Sequence, residues 1–138
     1  LNTGAGFPQG TRHLVVRKAK PAALASLLNW GLRIGWFSNL KEAERAVHAL
    51  SIDFDEYYAF WANLEAVSPN RVQIIQYGQV AIPLVLTSKL SRLGCSTAGR
   101  RKEFRFMRVP VSAQRKPNIS FTEADIIQML RKEGRPLV

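Results

Sequence analysis

The chain holds one cysteine, Cys95, and only two histidines, His13 and His48, which stand far apart. A single cysteine excludes an internal disulfide framework and supplies no zinc cluster. No metal site and no cofactor are expected, and a reducing, cytoplasmic setting fits. Long apolar runs are also missing. The longest uncharged one lies around Val80 to Leu86, far short of the ~20 residues a membrane helix requires, so no membrane partner is expected. Catalytic motifs are absent as well: Cys95 is followed by Ser96 and Thr97 with no His or carboxylate close by, so an enzyme is not expected. Acid is scarce. Ten Asp/Glu face 20 Lys/Arg, a formal net charge of +10, which points to a polyanionic partner, nucleic acid before any anionic surface. The 46% hydrophobic content suffices for a core and argues against wholesale disorder.

Leu1 to Gly10 is Gly-rich and reads as part of a flexible lead-in, residues 1–11. A basic segment follows, Thr11 to Lys20, whose centre, Leu14 to Val16, suits a short strand or an apolar anchor. Pro21 sits where a first helical residue belongs, because its missing N–H is not needed there. The pattern predicts a helix over Ala22 to Arg33, with Leu24, Leu27, Leu28 and Trp30 as its candidate buried stripe, and Gly31 and Gly35 at its frayed end. Trp36 and Phe37 lead on to Ser38 to Trp61, which reads as two short helices joined by a tight turn. Ser38 or Asn39 can cap the first, and Leu40, Ala43 and Val47 form its apolar face. His48 to Ser51 interrupts, and Ser51 or Asp53 caps a second helix carrying Phe54, Tyr57, Tyr58, Phe60 and Trp61. Phe54, Tyr57 and Trp61 suit the core, which leaves Tyr58 as a candidate interface residue. Three helices by about Leu64 give a trihelical helix-turn-helix core.

Pro69 and Asn70 mark a turn. Arg71 to Tyr77 suits a strand or a short helix, and Ile82 to Leu93 a helix stopped by Gly94. Lys102 to Val111 alternates apolar and charged residues as a strand does, and with its loop suggests a hairpin or wing. Ser120 and Glu123 match a capping box before a final helix with Ile126, Ile127 and Leu130. The expected fold class is mainly α (α+β): a helix-turn-helix core over 12–77, then a basic extension over 78–138 with a hairpin and a terminal helix.

Charge is unevenly placed. Up to Asn70 there are seven Lys/Arg and six Asp/Glu, whereas from Arg71 onward there are thirteen and four. Lys89, Arg92, Arg100, Arg101, Lys102, Arg105, Arg108, Arg115 and Lys116 face only Glu103 within their window. With Arg12, Arg17 and Lys18 of the basic segment they are the candidate nucleic-acid contacts, since phosphate neutralisation dominates such binding. Lys20 belongs to the same segment. Phe104 and Phe106 among the arginines offer stacking faces, although core packing is the better reading for them. The second helix of the pair carries Asp53, Asp55 and Glu56 and no cation. Carboxylates there oppose phosphate, so Asp55, Glu56 and Tyr58 suit a protein interface.

From Arg12 to Tyr77 the order of features resembles the SciP-type helix-turn-helix domain, a regulator that inhibits the cell-cycle regulator CtrA. The matching residues are Val15-Val16-Arg17-Lys18-Ala19, Leu40-Lys41-Glu42-Ala43, Leu50-Ser51-Ile52, then Asp55, Glu56, Tyr57 and Trp61, then Arg71, Gln73, Gln76 and Tyr77. The resemblance covers about half the chain. It implies transcription control through DNA, RNA polymerase or another regulator. The expectation is a DNA-binding transcription regulator that also contacts polymerase or a response regulator. An RNA-binding or ribonucleoprotein component and a protein-binding adaptor are the alternatives.

Overall fold

Pro21 in the first turn lets the chain enter a helix directly after a short strand. In the computed structural model, which describes residues 8–95 and 120–138, the order is β1 (His13–Arg17), α1 (Lys20–Ile34), α2 (Leu40–Val67), β2 (Val72–Gln76), α3 (Pro83–Arg92) and α4 (Glu123–Lys132). A single 3-10 turn, Tyr77–Gln79, links β2 to the approach to α3. The protein is thus mainly helical with a two-stranded sheet among the described residues. The strand expected over Lys102 to Val111, its loop and the wing lie outside them, as do residues 1–7 of the lead-in.

Two compact units form, and neither is continuous in sequence. A sheet unit takes Leu1–Arg17 and Phe60–Pro117, and a helical unit takes Lys18–Ala59 and Asn118–Val138. The boundary expected after Tyr77 falls inside the sheet unit. Helix α2 contributes its residues up to Ala59 to the helical unit and those from Phe60 to the sheet unit.

In the sheet unit, β1 and β2 pair in parallel, with His13 opposite Val72 and Arg17 opposite Gln76. A parallel pair needs a long crossover, and α1 and α2 fill that interval in the chain. Val15, Val72, Ile75, Leu86, Leu93 and Trp61 are buried here. The His13 ring lies 5.0 Å from that of Trp61, and α3 packs against β2. The Glu65 carboxylate accepts the Ile74 N–H, which satisfies a strand amide from outside the ladder.

In the helical unit, Leu24, Ala25 and Leu28 of α1, Ala43 and Val47 of α2, and Phe121, Ile126 and Leu130 at α4 form one core. Its three helices are therefore α1, the first part of α2, and α4, where three consecutive helices by Leu64 were expected. Gly31 admits close packing: a Cβ there would stand 2.6 Å from the Phe37 ring. Trp30, expected in the buried stripe, is instead 42% exposed, its ring edge-on to Trp36 at 4.5 Å. Asn39 Oδ1 accepts the Glu42 N–H at 2.9 Å and the Glu42 carboxylate accepts the Ser38 N–H at 2.6 Å, so of the two proposed caps Asn39 is the one used.

The largest correction concerns α2. His48 to Ser51 is helical, and the helix runs unbroken for 28 residues. No turn separates two short helices there, and Ser51 is an interior residue, fully buried, rather than a cap. The helix-turn-helix link is absent at its expected place. The final helix also begins two residues late. Thr122 and Asp125, rather than Ser120 and Glu123, form its reciprocal capping box.

Candidate nucleic-acid interface

The two units differ sharply in charge. Of the 20 Lys/Arg and ten Asp/Glu in the sequence, twelve and two fall in the sheet unit and eight and eight in the helical unit. The sheet unit therefore carries the whole formal +10, and the helical unit is balanced. One of the sheet unit's two acids, Glu65, is engaged by the β2 backbone. No acid occurs between Glu65 and Glu103.

Three of the expected contacts come together at one end of α3. Lys89 and Arg92 occupy its last turn, where the helix dipole favours cations. Gly94 follows with φ +75°, and the Arg12 guanidinium lies against it, so that a Cβ at Gly94 would stand 2.8 Å from Arg12 Nη1. Gly94 thus serves both the left-handed backbone and the approach of Arg12. Arg12 and Arg92 are exposed and Lys89 half-buried. The chain leaves this point at Cys95 toward Arg100, Arg101, Lys102, Arg105, Arg108, Arg115 and Lys116, which lie outside the described residues. Arg71, missing from the expected set, is exposed beside the sheet, and its carbonyl accepts the His13 N–H at 2.8 Å. Its signal was available, since it opens a segment with no acid.

The other expected cations are not gathered with these. Arg17 ends β1, opposite Gln76, away from the strand end that Arg12 adjoins. Lys18 belongs to the helical unit, where its Nζ donates to Ser26 Oγ at 2.9 Å. Lys20 is fully buried: its Nζ donates to Asp55 Oδ1 and to the Pro136 carbonyl, each at 2.7 Å. Sequence gave no sign of this, because both partners are remote along the chain.

Asp55, taken as an interface acid, thus has an internal partner and keeps 31% side-chain exposure. Glu56 is exposed. Tyr58 is half-buried against Phe54, at 4.7 Å, and Tyr57, at 5.1 Å. Phe54 and Tyr57 are likewise half-buried, and only Trp61 of the aromatic set is fully enclosed. Among the described residues no three His, Cys, Asp or Glu side chains group as a metal site, and no helix is long and apolar enough to cross a membrane. Comparison with protein-family models, curated proteins and solved structures finds no match to this chain.

Proposed function

We propose that this protein is a DNA-binding transcription regulator whose sheet unit holds the nucleic acid, with the helical unit as its neutral scaffold. The observation that carries this reading is the segregation of charge: the entire +10 falls in one unit. Arg12, Lys89 and Arg92 then supply a cationic focus at the end of α3. Cations spread evenly over a surface are ordinary solvation, whereas a unit with twelve cations and two acids attracts a polyanion at long range. The regulator role draws on the SciP-type order of residues from Arg12 to Tyr77.

The grip does not depend on a turn within α2. The acids of that helix, Asp53, Asp55 and Glu56, belong to the balanced unit, apart from the cations. An adaptor that docks through Asp55 is the weaker reading, because Lys20 already engages that carboxylate.

Competition binding tests the choice of nucleic acid. The full chain on a labelled DNA duplex should be displaced better by unlabelled duplex DNA than by an equal concentration of structured RNA. Decisive displacement by RNA would transfer the protein to the ribonucleoprotein class.

A further inference from the structure

Helix α3 presents an outward stripe that the phosphate grip does not explain. Leu84, Thr87, Ser88, Ser91 and Arg92 recur at i, i+3, i+4, i+7 and i+8, so they share one face, and all five are exposed. The opposite side is held in place: Leu86 and Leu93 are buried, Val85 and Leu90 half-buried, and the helix rests on β2. Ten residues in length, α3 is roughly 15 Å long and contains no acid. Leu84 is 84% exposed on the same stripe as three hydroxyls.

We propose that α3 enters the major groove of duplex DNA and reads base sequence through this stripe, with Arg12 and Lys89 gripping phosphate beside it. The inference rests on the DNA-binding reading above and adds to it the element that confers selectivity. Each side chain suits that task. A hydroxyl both donates and accepts, so Thr87, Ser88 and Ser91 can pair with base edges of either kind. An exposed aliphatic such as Leu84 suits the thymine methyl, and the Arg92 fork matches guanine O6 and N7. The major groove, about 12 Å wide, admits a single helix. The cations at the C-terminal end place phosphate there, which sets the direction in which α3 would lie. A protein partner fits this stripe poorly, because hydroxyls predominate where an interface core would want apolar or aromatic anchors. By charge, α3 is suited to the groove where the acid-bearing α2 is not.

The test uses the full chain. Duplexes are selected from a randomised pool, and affinity is compared between the selected duplex and a scrambled one of equal length. The variant Thr87→Ala/Ser88→Ala/Ser91→Ala keeps a strong helix-forming residue at each position, and circular dichroism verifies its fold. Wild type should prefer the selected duplex by at least tenfold. The triple variant, and Leu84→Ala in smaller measure, should lose that preference while affinity for the scrambled duplex stays within about twofold. Three results would overturn the assignment: preference retained in the triple variant, equal weakening on both duplexes, or no sequence emerging from the pool. Tight, salt-sensitive binding without any preference would leave the DNA-binding reading standing and remove only α3 as reader. Absence of duplex binding by wild type would remove both.

Discussion

Lys20 shows how a charge is used once it leaves water. Its ammonium is fully enclosed and divided between a carboxylate and a backbone carbonyl, with the Phe54 ring 6.0 Å away. This ties the start of α1 to α2 and to the segment after α4. Removing one member of such a pair strands the other, but Asp55 retains 31% exposure and can rehydrate in part. Lys20→Met should therefore destabilise the fold by about 1–3 kcal/mol in chemical denaturation, without a matching fall in DNA affinity, because this lysine never faces the nucleic acid. Glu42 works by a different route. Hydrogen bonds from the Ser38 amide and then its hydroxyl hold the Glu42 carboxyl below the usual carboxylate range, and Arg45 adds to this. A carboxyl lowered on folding stabilises above its unfolded value, and the gain fades as pH falls through the lowered one. Glu42→Gln should therefore melt below wild type at neutral pH. The gap should close on acidification past about pH 4, as thermal melts across pH will report.

Among elements, α2 decides how the central stretch is read. The Ser51 hydroxyl is enclosed in the helical unit and has no hydrogen-bond partner. If Ser51 capped a second helix, Ser51→Ala would cost about 1 kcal/mol. Inside an unbroken helix the same change removes an unpaired buried hydroxyl and improves helix propensity, so stability should rise by about 0.5–1 kcal/mol in urea denaturation. The sign of the change separates the two structures. His48-Ala49-Leu50-Ser51 resembled a break because serine competes for backbone hydrogen bonds locally. The core contacts of Ala43 and Val47 on one side and Trp61 on the other override that preference. The cap of α4 moved for a similar reason. The Ser120 and Phe121 amides donate to Asn29 Oδ1, and Asn29 Nδ2 donates to the Phe121 carbonyl. With Ser120 held there, Thr122 and Asp125 close the box instead. Features written in short spacings, such as Pro21, Asn39 with Glu42, and the Leu86 and Leu93 face of α3, were legible. The parallel pairing of β1 with β2 was not, because Val15 meets Ile74 only after two helices have intervened in the chain.

For the whole molecule, the balance of charge is the organising fact. In sequence the excess begins at Arg71, but Arg12 and Arg17 join it because β1 pairs with β2 in the sheet unit. The basic segment at the start of the chain was read as one arm, and it divides: Arg12 goes to the end of α3, Lys18 to Ser26 and Lys20 into the helical core. Folding thus separates a neutral unit from one with a net charge of +10.

Affinity for a DNA duplex against salt concentration, for wild type and for Arg12→Gln/Lys89→Gln/Arg92→Gln, tests this central claim most directly. The account predicts a steep linear fall of log affinity with log salt in wild type. In the variant the slope should be shallower by up to about 3, close to one unit per lost phosphate contact. A flat wild-type line, or an identical slope in the variant, would contradict it.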